Sequence, residues 1–309
     1  MALVVALDAR AQVALTSGDI PRTTFRSGVD LVALNVVVTD SQDKFVVGLA
    51  QADFAVFEDG VQQDVSFFGS SDVPLDVAIL LDTSASMTDK IATAQKAAIG
   101  LVSTLRASDR VSVVDIKDST RILFPMSDDA DGARTAILAT TAAGGTALYN
   151  GTYLALKEMT KLGRGNGEVR RQAIVVLSDG ADTASLLSFD DVLELAKQSG
   201  IAIYTISLQS KSELARRSRA GRSHFSESDF AMKSLAQETG ARAYFPAEAS
   251  ELAGIYSSIA EELASQYALG YTSKNRRVDG SYRRVIVRVT VNPGVRTRTR
   301  NGYLSALSK

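Results

Sequence analysis

Val77-Ala78-Ile79-Leu80-Leu81-Asp82-Thr83-Ser84-Ala85-Ser86 is the stretch that decides how this chain folds. Five consecutive apolar residues, with no polar partner at period two, read as a short strand buried on both faces rather than one with a wet side. The strand stops at Asp82 in a run of oxygen-bearing side chains, and a helical pattern follows from Thr88 to Leu105. Ala173 to Leu177 repeats the arrangement, ending in Ser178-Asp179-Gly180. Working outward, further strands are predicted at Val111 to Ile116, Arg121 to Phe124, Ile201 to Ile206 and Ala241 to Phe245. Helices are predicted at Asp129 to Ala139, Leu148 to Leu162, Asp190 to Gln198, Asp229 to Glu238 and Ser250 to Ser265. Short apolar strands alternating with longer helices imply an α/β domain, doubly wound around a mostly parallel six-stranded sheet.

The flanks differ in character. Val32, Leu34, Val36 and Val38 fall on one face at period two, and Asp53 to Phe57 and Val61 to Phe68 flank Asp59-Gly60, a pair suited to a tight hairpin turn. Beyond Tyr267 the alternation returns, with Val285, Val287, Val289 and Val291 set against Arg284, Arg288 and Thr290, and Arg296, Arg298 and Arg300 set against Val295, Thr297 and Thr299. Residues 25–72 carry two basic and eight acidic groups, whereas residues 267–309 carry ten basic and one acidic. Neither flank has enough strands to stand alone. The expectation is therefore a single β-sandwich of about six or seven strands, formed by both flanks and split in sequence by the α/β domain. The division that follows is 1–24 leader or linker, 25–72 first half of the sandwich, 73–266 α/β domain and 267–309 second half.

Composition narrows the chemistry. The chain has 309 residues, 34 basic and 35 acidic, and 45% hydrophobic residues, which is the balance of a globular protein. A net charge of -1 argues against a dedicated nucleic-acid binder. No apolar run is long enough for a transmembrane helix. The absence of cysteine and the single histidine, His224, exclude thiolate nucleophiles, disulfides, and sites built from several Cys or His ligands. Metal chemistry is thereby directed to oxygen ligands and hard cations. Met1 to Gln12 carries a short apolar stretch and the triplet Ala9-Arg10-Ala11, like a signal-peptidase site, but no basic leading region, and Asp8 interrupts the apolar run. The expectation is a secreted or periplasmic protein, with the cytoplasm as the alternative.

The chemistry centres on Asp82, Ser84 and Ser86, which alternate in a loop leaving the carboxyl end of a buried strand, where open α/β sheets bind ligands. Gly144-Gly145-Thr146 and Ser178-Asp179-Gly180 are expected to reach the same point. Asp82, Ser84, Ser86, Thr146 and Asp179 together offer up to five oxygens, and Mg2+ takes six in near-octahedral geometry and keeps some waters. The competing reading makes Ser86 a helix cap in a polar turn.

The strings ILLDTSASM, GGTALYNG and VVLSDGADT resemble a von Willebrand factor A (VWFA) domain, and Asp82-x-Ser84-x-Ser86, Thr146 and Asp179 match that family's metal ion-dependent adhesion site. The flanking strings VTDSQDKFVVGL, DFAVFEDGVQQ, YALGYTS and RTRNGY resemble the VWFA-related proteins of acidobacteria. The resemblance implies a Rossmann-like sheet ordered 3-2-1-4-5-6, with the Arg121 strand antiparallel at one edge. It also implies a Mg2+ at the top of that sheet, with Mn2+ or Ca2+ as alternatives, and a protein partner whose Asp or Glu carboxylate completes the metal shell.

Such a site is expected to bind rather than to cut. Three neutral hydroxyls leave the ion electrophilic toward a carboxylate, the following helix N-terminus favours an anion, and no general base lies nearby. The function expected is divalent-cation-dependent, adhesion-type protein binding without catalysis. The alternatives are a structural or assembly protein with incidental metal and, further off, a Mg2+-dependent phosphohydrolase of the haloacid dehalogenase type. The last wants a second Asp where Ser84 stands.

The remaining features read as ordinary. His224 and the basic run Lys211 to Arg222 are expected in solvated loops, and Gly163-Arg164-Gly165-Asn166-Gly167 in a flexible connector. Arg296, Arg298 and Arg300 could form an anion-binding stripe, but a solvated or acid-paired strand face is expected. Asp182 either tunes the metal loop or serves its own turn.

Overall fold

The computed structural model describes residues 31–70, 72–165, 169–179, 182–208, 226–291 and 294–305. The expectations for the leader, for Lys211 to Arg222 and for His224 lie outside these residues. In chain order the strands of the first flank are β1 (Leu31–Thr39), β2 (Phe54–Glu58), β3 (Val61–Gln63) and β4 (Val65–Gly69). The α/β unit follows with β5 (Leu75–Asp82), α1 (Ile91–Val102), β6 (Arg110–Ile116), β7 (Arg121–Ser127), α2 (Ala130–Leu138), α3 (Leu148–Gly165) and β8 (Arg171–Ser178). It ends with α4 (Phe189–Ser199), β9 (Ala202–Ser207), α5 (Glu227–Glu238), β10 (Ala243–Tyr244) and α6 (Leu252–Ser265). The last strands are β11 (Tyr267–Thr272), β12 (Tyr282–Val289), β13 (Arg296–Arg298) and β14 (Gly302–Leu304).

The six-stranded sheet runs β10-β9-β8-β5-β6-β7, parallel throughout except for the antiparallel edge pair β6–β7. In order along the unit this is 3-2-1-4-5-6, as the resemblance implied. All eight residues of β5 are buried. Val77, Ile79 and Leu81 pack with α1 and α6, while Ala78 and Leu80 pack against α3 on the opposite face. An apolar run with no polar alternation is what a strand covered on both faces requires. Among the described residues, no helix is long and apolar enough to cross a membrane.

The flanks form two four-stranded antiparallel sheets, β13-β1-β11-β4 and β14-β12-β2-β3, each combining strands from both ends of the chain. Val32, Leu34, Val36, Val56, Leu269, Val285 and Val287 fill the core between them, with Phe54 stacked obliquely 5.0 Å from Tyr267. Among the described residues there are eight strands rather than six or seven, because Val61 to Phe68 is not one strand. It breaks at Asp64, so that β3 pairs with β2 in one sheet and β4 with β11 in the other. The hairpin between β2 and β3 turns at Asp59 and Gly60, both at positive φ (47° and 83°), the conformation that an Asp-Gly pair tolerates best.

Two helix boundaries also differ. The helix expected from Thr88 begins at Ile91, after a single 3-10 turn over Ala85–Met87. Gly163 and Gly165, expected in a connector, belong to the end of α3.

Candidate metal centre

β5 delivers Asp82 to the carboxyl end of the sheet at its centre, between β6 and β8. The chain then leaves the sheet under tight control. Thr83 N donates to Ile116 O at 3.0 Å, and the Thr83 hydroxyl is hydrogen-bonded to the buried Asp115 carboxylate. Met87, fully buried, pins the far end of the loop. Asp82 is wholly buried, and both its oxygens are held: Oδ1 accepts from Ser84 N at 2.9 Å and Oδ2 from Ser178 Oγ at 2.5 Å. Burial pushes the Asp82 carboxyl above its ordinary range; the hydrogen bonds from Ser178 and Ser84 oppose this, and the nearby Asp179 adds to it.

Ser84, Ser86 and Asp179 form a chain of oxygens. Ser84 Oγ and Ser86 Oγ are 3.0 Å apart, and Ser86 Oγ donates to Asp179 Oδ1 at 2.6 Å. The Ser86 hydroxyl therefore faces the neighbouring loop, and the helix-cap reading is corrected: neither the 3-10 turn nor α1 has a side-chain cap. Lys90 occupies the cap position of α1, and its ammonium is paired with Asp179 Oδ2.

Thr146 comes up on the third loop. Its loop is tied to the first by Ala143 N donating to Thr83 O (2.8 Å) and Ala85 N donating to Gly144 O (3.0 Å). Thr146 N donates to Thr183 Oγ1 at 3.0 Å, and Thr146 O accepts from Thr183 N and Ala184 N. Gly144 sits at φ +76°, and a Cβ there would lie 2.1 Å from Asp118 Oδ2. A side chain is excluded both by the backbone conformation and by the carboxylate that caps Gly145 N at 2.6 Å. Asp182 serves its own turn and the start of α3, accepting from Tyr149 N, Ser185 N and Ser185 Oγ.

The structure thus brings Asp82, Ser84, Ser86 and Asp179 into one hydrogen-bonded cluster and sets Thr146 on the adjoining loop. Sequence reasoning missed Lys90, Asp118 and Thr183, and placed Ser178 only as part of the loop that carries Asp179. Lys90 reads in sequence as a surface residue of a helix, and nothing in the spacing of Asp118 or Thr183 points to this loop. Among the described residues no three carboxylate or imidazole groups converge as a metal site, so any ion held here depends on hydroxyls.

The model of the von Willebrand factor type A domain matches residues 76–256, from β5 into α6. The chain belongs to this family. In sequence the chain is similar to sll0103 of Synechocystis sp., 33% identical over 111 residues, which are 35% of this chain and 26% of that protein. The fold is similar to that of proximal thread matrix protein 1 from the mussel byssus, solved with a zinc-occupied MIDAS motif: TM-score 0.50, 15% identity, 66% of this chain and 49% of that one. It is also similar to a von Willebrand factor type A protein from Catenulispora acidiphila, with TM-score 0.49, 10% identity, 91% of this chain and 76% of that one. The chain spans about a quarter of the length of sll0103 and about half that of the mussel protein. Domains of the vWA family generally serve as interaction modules and bind a divalent metal at their metal ion-dependent adhesion site.

Proposed function

We propose that the vWA domain of this chain is a divalent-cation-dependent protein-binding module in which Asp82, Ser84, Ser86, Thr146 and Asp179 hold Mg2+. The observation that carries the reading is the pairing of two buried carboxylates, Asp82 and Asp179, with the hydroxyls of Ser84 and Ser86 at the carboxyl end of a parallel sheet. The donor set fits a hard divalent ion. Among the described residues the buried Asp82 carboxylate has no cationic partner, and Asp179 is paired with the Lys90 ammonium. When bound, the ion would supply an electrophilic centre for an incoming carboxylate. Asp82 and Asp179 would neutralise it formally, the serine and threonine hydroxyls would add no charge, and a partner's Asp or Glu would complete the shell. The zinc carried by the MIDAS motif of the mussel protein supports the same chemistry. No catalysis is proposed. The two flanks, residues 25–72 and 267–309, would form the sandwich that carries the domain. A secreted or periplasmic location is proposed on the N-terminal stretch alone.

The test is isothermal titration of Mg2+ and Mn2+ into metal-stripped protein beside the Asp82→Ala variant. Saturable binding near one equivalent that disappears in the variant is expected. Absence of binding to the unaltered chain overturns the reading. Metal binding that leaves the affinity for an isolated partner unchanged favours an assembly role.

A further inference from the structure

The arginines at alternating positions 296, 298 and 300 have three different surroundings. Arg296 is exposed. Arg298 reaches from the sandwich to the α/β unit, pairing with the buried Glu262 of α6 at 2.5 Å and donating to Gly240 O. This is the acid-paired face expected from sequence. Arg300 is buried, no carboxylate pairs with it among the described residues, and its Nε is buried without a hydrogen-bond partner. The Tyr303 ring lies 5.2 Å from the guanidinium carbon, Tyr271 and Tyr282 are also near, and a Cβ on Gly200 would lie 3.1 Å from Nη1. Burial pushes its pKa down, opposed only by nearby tyrosines. The other buried arginines of the fold are treated differently: Arg283 faces Glu58 and donates to Asn275 O, and Arg171 donates to Val73 O and Leu263 O. A desolvated guanidinium with no counter-ion and an unpaired donor is costly, and native folds rarely keep one without a reason.

Arg300 lines a cleft of about 510 Å3 on the sandwich, together with Tyr282, Arg284, Arg298, Thr299 and Asn301. Among the described residues no acidic side chain contributes to its lining, which Val285, Ile286, Val287 and Thr297 complete. Thr299 Oγ1 and Arg300 Nε are both buried without a hydrogen-bond partner. Three of the lining residues are arginines; Arg298 is committed to Glu262 and Gly240 O, which leaves Arg284 and Arg300, whose planar forks are of the kind that matches oxyanions. The volume lies within the range of about 300 to 1,000 Å3 typical of small-molecule sites, and exceeds what a bare oxyanion needs.

We propose that this cleft binds a phosphate or sulfate group carried by a small polar molecule such as a sugar, with Arg300 and Arg284 clamping the oxyanion and Thr299 donating its hydroxyl. The site lies on the sandwich, away from the carboxyl end of the parallel sheet, and does not depend on a metal. It is therefore independent of the function proposed above, and either can fail alone.

The experiment is calorimetric titration of the full chain at constant ionic strength with inorganic phosphate, inorganic sulfate, glucose 6-phosphate and glucuronate, in the presence of a chelator. Saturable one-site binding of phosphate or sulfate is expected, tighter for glucose 6-phosphate and unchanged by Asp82→Ala. Thr299→Val and Arg284→Gln, which spare the buried guanidinium, should each weaken it roughly tenfold, the size of one charge-assisted hydrogen bond. Arg300→Lys keeps the charge, removes the fork, and should weaken binding further. Absence of saturable binding by all three phosphate and sulfate probes overturns the proposal, as does binding that neither Thr299→Val nor Arg284→Gln affects. Glucuronate binding as tightly as glucose 6-phosphate overturns the assignment to a tetrahedral oxyanion.

Discussion

Lys90 and Asp179 are paired at the top of the parallel sheet: the ammonium rests on Oδ2 while Ser86 Oγ donates to Oδ1 at 2.6 Å. The pair matters because Asp179 is fully buried at its side chain while Lys90 keeps 24% exposure. A divalent ion arriving at these oxygens meets a positive charge already in place. Lys90 is partly exposed, and giving up the carboxylate costs it the pairing.

The first prediction follows from that competition. Lys90→Gln should bind Mn2+ roughly tenfold more tightly than the unaltered chain, since one removed charge at contact distance is worth at least this much even in a solvated setting. Titration calorimetry at fixed ionic strength reads it directly. An affinity that stays the same or falls would mean that the ammonium does not compete for Asp179.

A second prediction concerns Asp82. Its carboxylate is buried and held above its ordinary pKa chiefly by that burial, so at neutral pH the charged form works against the metal-free fold. Asp82→Asn keeps an acceptor for Ser84 N and removes the charge. The metal-free variant should therefore melt no lower than the metal-free parent, while Mg2+ should raise the melting temperature of the parent alone. Thermal unfolding with and without chelator distinguishes the outcomes. A large loss of stability in the metal-free variant would show that Asp82 is structural.

Much of this was legible in the sequence because burial leaves periodic traces. The unbroken apolar runs at Val77 and Ala173 identify β5 and β8, and the alternation from Val32 to Val38 identifies the inward face of β1. The break at Asp64 leaves no such trace. Both halves of Val61 to Phe68 carry strand-forming residues, and only the three-dimensional pairing sends them to different sheets. At the site, alternating Asp and Ser residues stood out, but Lys90 did not, because a lysine before a helix resembles any solvated residue until its partner is located. Arg300 was legible as one of three alternating arginines. Its burial was not, because it depends on how the segment docks.

The third prediction is a pH dependence at the base of the parallel sheet. Asp109 accepts from Leu75 N, at the start of β5, and is paired with Arg106 at 2.9 Å. Burial alone would raise its carboxyl, but the hydrogen bonds from Arg106 and Leu75 and the Arg106 charge outweigh it, and the net direction is downward. A lowered folded value means that the charged pair stabilises the fold above the unfolded carboxyl value of about 3.9, and that this contribution is lost as pH falls through the folded value. The stability difference between the parent and Asp109→Asn should accordingly be constant from neutral pH to about pH 5 and shrink below about pH 4. Urea unfolding across that range measures it; a difference that grows on acidification would reverse the sign.

The fourth prediction rests on Glu58, through which the two ends of the chain are joined. Glu58 lies in β2 and is 2% exposed, and its carboxylate accepts from Tyr271 Oη (2.8 Å), Tyr303 Oη (2.8 Å) and Ser273 Oγ (2.5 Å). Arg283, also buried, lies 3.4 Å away. Every one of these partners belongs to the second flank, so the acidic first flank and the basic second flank meet at a buried, hydrogen-bonded charge as well as across an apolar core. Glu58→Ala deprives the Arg283 guanidinium of its counter-ion and two tyrosine hydroxyls of their acceptor, and should cost about 3 to 5 kcal/mol. Glu58→Gln retains acceptors and should cost less. Glu58→Leu combined with Arg283→Met removes both charges, and should recover much of the loss relative to Glu58→Leu alone, because the penalty comes from the unpaired charge rather than from the absent pair. Denaturant midpoints for the set decide the matter: a Glu58→Ala cost below about 1 kcal/mol would place the union of the flanks in the apolar core alone.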